Sequence, residues 1–127
     1  MNNSSEISKN KKTIVFIINP VSGGINKKNI SELIRKEIDE NLFDLNIVFT
    51  EYAGHASEIS KQLVENNTNI IVAVGGDGTI NEVATQMINS NSTLGIIPMG
   101  SGNGLARHLN ISRTPAKALK LINTAKN

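Results

Sequence analysis

The sequence predicts an α/β domain of three layers, with a mostly parallel sheet held between helices. Three observations predict it. Strand-like apolar runs and amphipathic helical segments alternate four times, with one further helix, an order that implies right-handed crossovers and parallel strands. The runs at 13–18 (TIVFII) and 70–74 (IIVAV) are apolar and β-branched without strict alternation, as in strands covered on both faces. The 127 residues, 39% of them apolar, suit one compact domain with a real core.

Taken in order, residues 1–12 are polar and lack the apolar core of a targeting peptide, so they are expected to form a disordered tail ahead of a domain spanning 13–127. The first strand, 13–18, ends in Asn19, Pro20, Val21, Ser22, Gly23 and Gly24, where proline and paired glycines force a loop and Asn19 and Ser22 offer side-chain hydrogen bonds. Ile30, Leu33, Ile34 and Ile38 then fall on one face of an amphipathic helix whose other positions are Lys27, Lys28, Glu32, Arg35, Lys36 and Glu37. A second strand is expected at 46–50, ending in Thr50. A helix from His55 follows, turning Ala56, Ile59, Leu63 and Val64 inward. His55 reads as a capping or surface residue, because the sequence shows no carboxylate or nucleophile paired with it.

The segment 70–84 is the centre of the chain. A strand at 70–74 runs into Gly75, Gly76, Asp77 and Gly78 and then into a helix from Thr79. Three glycines in four positions remove the Cβ atoms that would hold a ligand off the backbone and permit positive φ in a tight reversal. Thr79 with Glu82 three residues later fits a capping box, and Ile80, Val83, Ala84, Met87 and Ile88 follow the spacing of one buried helical face. The N–H groups at such a helix start favour a phosphate. Asp77 is a turn or cap residue on the simplest reading. Beside a phosphate its charge calls for Mg2+, usually through water, or for proton handling.

A fourth strand at 94–97 ends in Pro98, Met99, Gly100, Ser101, Gly102, Asn103 and Gly104, a second glycine-rich loop after a strand. Leu105, Ala106 and Leu109 begin a short helix, and Thr114 with Pro115 caps a last one carrying Ala118, Leu119 and Ile122. The three loops at 19–24, 75–79 and 100–104 all leave the carboxyl ends of strands, so they share one sheet edge and make one cleft; Thr50 ends its strand at the same edge.

Composition limits what the cleft can hold. The net charge of +2 comes from 13 basic and 11 acidic residues, and with Lys9, Lys11, Lys12 and Glu6 set aside the remainder is balanced. The 3% aromatic content and the lack of a basic block beyond the tail argue against a dedicated nucleic-acid binder. After Glu65 the only carboxylates are Asp77 and Glu82, against Arg107, Arg113, Lys117, Lys120 and Lys126, so the second half favours anions. No cysteine is present for a disulfide, thiolate metal site or thiol nucleophile. There is no G-x-x-x-x-G-K-[ST], no G-x-G-x-x-G with a following acid and no H-E-x-x-H, so neither a P-loop, a Rossmann dinucleotide site nor a dense metal cluster is indicated. A phosphate-bearing ligand in a cleft of backbone donors is the reading that remains.

The run Val74 to Thr79, VGGDGT, resembles the signature shared by diacylglycerol kinases, sphingosine kinases, NAD kinases and phosphofructokinases. Together with Asn19-Pro20-Val21-Ser22-Gly23, Glu82-Val83 and Pro98-Met99-Gly100-Ser101-Gly102-Asn103, and more weakly Thr50 with His55-Ala56, it is similar to the catalytic domain of the diacylglycerol and sphingosine lipid kinases over nearly all of 13–122. The GSGN-x-LA pattern is closer to sphingosine kinases, and Arg107 after Ala106 to bacterial diacylglycerol kinases.

That resemblance implies a fold like the nucleotide-binding domain of NAD kinase and diacylglycerol kinase. It also implies transfer of the ATP γ-phosphate to the hydroxyl of a diacylglycerol, sphingoid base or related lipid, within phospholipid metabolism. It places phosphates near Gly75, Gly76, Gly78, Thr79 and Ser101, with Gly23, Glu82, Gly100, Gly102 and Asn103 completing the nucleotide site, and lines the rest of it with Asn19, Ser22 and Thr50. Asp77 becomes the catalytic residue, as a water-mediated Mg2+ ligand or as an aid in deprotonating the lipid hydroxyl. Relatives of this kind carry a second, β-rich domain that helps form the lipid pocket, so residues 13–127 are expected to be a nucleotide-binding half, inactive alone. Several charge-assisted hydrogen bonds of about 1.5 to 3 kcal/mol each, set against an association cost of roughly 4 to 15 kcal/mol, put the expected ATP affinity between micromolar and millimolar. The implied location is cytoplasmic, peripheral at the membrane, with a homodimer left open. The alternatives are a non-catalytic nucleotide or phosphate binding module and an NAD kinase-like enzyme.

Overall fold

A computed structural model of the chain describes residues 11–22 and 25–99. Within them the order is β1 (Lys12–Ile18), α1 (Lys27–Glu37), β2 (Phe43–Phe49), α2 (His55–Glu65), β3 (Ile70–Gly75), α3 (Asp77–Gln86) and β4 (Thr93–Pro98). The strands form one parallel sheet in the order β2-β1-β3-β4. The predicted three-layer α/β fold is therefore the observed one. The helices expected after position 104 lie outside the described residues.

β1 sits inside the sheet, with Phe16 opposite Ile47 on one side and Val72 on the other. Alternate residues of the central strands feed two separate cores. Ile14, Phe16, Ile18, Val72 and Val74 pack with Ile30, Ile34 and Ile38 of the α1 segment. Ile17, Ile71 and Ala73 pack on the other face with Ala56 of α2 and Ile80 and Val83 of α3. Each face has its own helix layer, which is why these strands carry apolar residues at successive positions. With α1 on one face and α2 and α3 on the other, all three crossovers share one hand, as parallel connections require.

Local chemistry sets the ends of the elements. Asn26 caps α1 by accepting from the backbone N–H of Asn29 at 3.0 Å, while Arg35 and Lys36 face the negative end of its dipole. At the amino edge of the sheet, Asn69 Oδ1 accepts from the backbone N–H of Thr13 and Thr13 Oγ1 accepts from that of Asn69, both at 2.8 Å. This reciprocal pair fixes the register of β1 against β3.

β2 ends at Phe49, one residue before Thr50, while β3 runs on to Gly75 and β4 spans Thr93–Pro98, each a residue beyond expectation, and four further differences stand beside these. β1 includes Lys12, which the sequence places in the tail. β2 begins at Phe43 and not at residue 46, because this edge strand mixes Asp44 and Asn46 with apolar residues and is mostly half-buried, which dilutes its apolar signal. α3 begins at Asp77, two residues before Thr79, so the capping box does not form; Gly76 is the N-cap, with no side-chain cap hydrogen bond. Ile88 lies beyond the end of α3 and is 69% exposed, while Ile80, Val83 and Met87 are buried as expected.

Candidate functional site

The sheet order places the switch point between β1 and β3: the chain leaves β1 toward β2 on one side and leaves β3 toward β4 on the other. Ligands of open α/β sheets bind in the crevice outside the carboxyl ends of such strands. Here the backbone N–H of Asn19 continues the ladder to Val74 O at 3.0 Å, and that of Thr50 bonds Ile18 O at 2.8 Å. The ends of β1, β2 and β3 are thus tied side by side.

Asn19 stands at the centre of the crevice. Its Oδ1 accepts from the backbone N–H of Val21 at 3.1 Å, which turns the chain at Pro20, and its Nδ2 donates to Thr79 Oγ1 at 3.3 Å. Thr79 is buried because α3 starts directly off β3, and Gly75 makes room for it. A Cβ on Gly75 would lie 3.0 Å from both Cβ and Oγ1 of Thr79. Thr79 thus serves as a helix residue that anchors Asn19, a role other than the cap expected of it. Replacing it with valine keeps the shape but leaves the Asn19 amide without its acceptor. A loss of about 1 kcal/mol in urea unfolding is expected for Thr79→Val.

A cavity of about 570 Å3 opens above these residues, lined by Asn19, Pro20, Val21, Lys27, Thr50, Glu51, Tyr52, Ala53, Ala56, Thr79 and Glu82. Of the predicted site residues, Asn19, Thr50, Thr79 and Glu82 meet there. Gly75 is buried beneath Thr79. Ser22 supports the loop through its backbone, donating to Asn19 O and accepting from Ile25 N, both at 3.2 Å. Gly76 is the N-cap of α3 and Gly78 lies in its first turn, and a Cβ on either would meet nothing within 4 Å. Positive φ is not what these glycines supply: Gly76 has φ −88°, and Gly54, at φ +89°, is the one glycine with positive φ among the described residues. Asp77, exposed in the first turn of α3, borders a separate hollow with Gly78, Ile80, Asn81 and Ala84. Gly23, Gly100, Ser101, Gly102 and Asn103 lie outside the described residues, although β4 ends at this edge, with Met99 N–H on Gly75 O at 2.9 Å.

The family model of the diacylglycerol kinase catalytic domain matches residues 13–127. The chain belongs to that family. It is 37% identical over 101 residues to a diacylglycerol kinase of Bacillus subtilis, covering 77% of this chain and 33% of that protein. A diacylglycerol kinase of Staphylococcus saprophyticus is 31% identical over 115 residues, covering 88% of this chain and 37% of the relative. Among solved structures, a diacylglycerol kinase of Bacillus anthracis superposes with a TM-score of 0.73 at 27% identity, over 91% of this chain and 43% of the other. This diacylglycerol kinase-family chain therefore spans about a third of the length of the curated relatives it matches.

The cavity also contains Lys27 and Tyr52, which the sequence patterns did not single out, with His55 beside Tyr52 but outside the lining. The Lys27 ammonium lies 5.4 Å from the centre of the Phe49 ring, a cation–π contact that holds a positive charge at the cavity wall. His55 Nδ1 accepts from the backbone N–H of Glu51 at 2.9 Å, and its ring stacks on that of Tyr52 with centroids 4.3 Å apart. The Tyr52 hydroxyl donates to Glu58 Oε1 at 2.6 Å, and this bond, more than its partial desolvation or the charges of Glu58 and Glu51, pushes its phenol above the ordinary value. A lone tyrosine at the carboxyl edge of an aromatic-poor sheet was the available signal. Among the described residues no group of three metal-ligating side chains is assembled, and no helix is long and apolar enough to cross a membrane.

Proposed function

We propose that this chain is the nucleotide-binding part of a lipid kinase that transfers the γ-phosphate of ATP to a lipid hydroxyl. The observation that carries the reading is the meeting of Asn19, Thr50 and Thr79 in one cavity at the switch point, beside a helix start whose glycines leave the space above the backbone open. Family membership supports the kinase chemistry, and the names of the relatives make diacylglycerol the first acceptor to test. In this reading the first-turn N–H groups of α3, which lack intrahelical acceptors, bind phosphate oxygens. Asn19 and Thr50 fix the nucleotide's orientation from the β1 and β2 ends. Residues 13–127 form one domain in this proposal, and the site of action is cytoplasmic, at the membrane surface where the lipid hydroxyl is found.

The residues fit a magnesium ion of a particular kind. Asp77 is one exposed carboxylate flanked by open glycine positions, suited to an ion held mainly by phosphates and water. When bound, such an ion neutralises charge developing on the phosphoryl oxygens. Asp77 would hold it through water or, alternatively, accept the lipid hydroxyl proton.

Calorimetric titration with ATP, with and without Mg2+, tests the proposal. Saturable Mg-ATP binding is expected, weakened about tenfold in Asp77→Asn, the loss of roughly one charge-assisted contact. Equal binding by Asp77→Asn would move Asp77 from the metal to proton transfer or structure. Preference for NAD as competitor would overturn the lipid-kinase reading in favour of an NAD kinase-like one.

A further inference from the structure

The segment after β2 is built as a rigid aromatic wall. Gly54, at φ +89°, turns the chain so that His55 returns over Tyr52, and three bonds hold the arrangement: Glu51 N–H to His55 Nδ1 at 2.9 Å, His55 N–H to Tyr52 O at 3.1 Å, and the Tyr52 hydroxyl to Glu58 Oε1 at 2.6 Å. His55 covers one face of the tyrosine ring, nearly parallel at 14°. Tyr52 nonetheless remains 53% exposed and lines the cavity, so its uncovered face is open to a ligand. Val21, 84% exposed in the loop that Asn19 turns outward, adds a second apolar surface to the same cavity. The tyrosine ring itself is held by the Glu58 bond on its hydroxyl and by the His55 stack, while the other two bonds fix the His55 ring and the backbone behind it.

We infer that Tyr52 is the platform on which the base of the bound nucleotide stacks, with His55 as the positioning residue behind it; the inference rests on the nucleotide reading of the cavity. Stacking is offset or parallel, favours flat π-systems and tolerates any base, because every base presents a π-face. A ring already locked by His55 and Glu58 loses little freedom when the ligand arrives. The platform therefore separates nucleotides from bare polyphosphates, which the helix start alone does not. It also makes the site tolerant of ATP and GTP alike, so far as the stacking contact is concerned.

The chain provides its own reporter, since Tyr52 is its single tyrosine and it has no tryptophan. Tyrosine emission of the chain should fall on titration with ATP or GTP and stay constant with tripolyphosphate, whose binding is followed by calorimetry. Tyr52→Leu should lower ATP affinity about tenfold, the worth of one base–aromatic stack, and leave tripolyphosphate affinity unchanged. Tyr52→Phe keeps the ring and should retain ATP binding, and with the wild-type emission titration it decides the matter should Tyr52→Leu not fold. ATP binding detected as heat, with constant emission and no loss in Tyr52→Leu, overturns the platform while the nucleotide reading stands. If neither ATP nor tripolyphosphate binds the folded chain, the nucleotide reading fails and takes the platform with it.

Discussion

Gly78→Ala is expected to lower ATP affinity about a hundredfold while leaving the free chain as stable as before, or more so. Gly78 is the second residue of α3, and a methyl group there meets no atom within 4 Å. Nothing in the free chain opposes the substitution, and alanine is favoured over glycine in a helix by up to about 1 kcal/mol. The open space has a use only when a ligand enters it. A phosphate seated on the first-turn N–H groups would occupy that space, and displacing it from two of them forfeits about 3 kcal/mol or more, which is the hundredfold. Gly75→Ala is the contrasting variant, because its new methyl group meets Thr79 at 3.0 Å and should cost about 1 to 3 kcal/mol of stability through overpacking. Urea unfolding and ATP calorimetry on both variants separate a glycine kept for packing from one kept for a ligand. Wild-type ATP affinity in Gly78→Ala would remove the phosphate from the start of α3.

Much of this arrangement is legible in the sequence, for local reasons. β1 and β3 are covered on both faces, so their apolar runs stand out, and the turns that end them carry Pro or Gly wherever the chain must change direction at once. Asn19 could be singled out because proline and paired glycines force a loop after β1 and its amide offers hydrogen bonds there, although an ordinary strand-to-helix turn reads the same way. Thr79 was misread because one pattern serves two structures. Thr-x-x-Glu fits a capping box, but the chain passes from Gly75 into a helix with Gly76 alone between them, so Thr79 falls in the first turn and its hydroxyl accepts from Asn19. Ile88 was misplaced because helical periodicity continues in the sequence after the helix itself has stopped, at the turn where Asn89 takes φ +63°. Lys27 left no signal in the sequence, and Tyr52 only that of a lone tyrosine at the sheet edge, for a different reason. Each belongs to the cavity through a contact with a neighbouring ring, Phe49 or His55, and neither contact leaves a spacing that distinguishes it from an ordinary surface residue.

Phe16→Ala is expected to destabilise the chain by about 3 to 5 kcal/mol, seen as a fall in the urea midpoint at unchanged slope. Phe16 is fully buried in the inner strand β1, packed into the cluster that joins the sheet to α1, so its removal leaves a cavity bounded by two strand neighbours and a helix that cannot all close on it. Against a typical folding free energy of about 5 to 15 kcal/mol, this brings the variant close to its threshold. The same variant tests whether core and site are energetically separate. Asn19 lies three residues further along, about 10 Å at the rise of a strand, and Phe16 does not line the cavity. At that separation effects add, so saturating ATP should stabilise Phe16→Ala by the same increment as wild type, an increment set by ligand concentration and dissociation constant alone. A clearly smaller increment would mean that slack in β1 reaches Asn19 and loosens its bond to Thr79. In that case the carboxyl end of β1 is held by the core beneath it, and the cavity owes its geometry to packing on the α1 face as well as to its own hydrogen bonds.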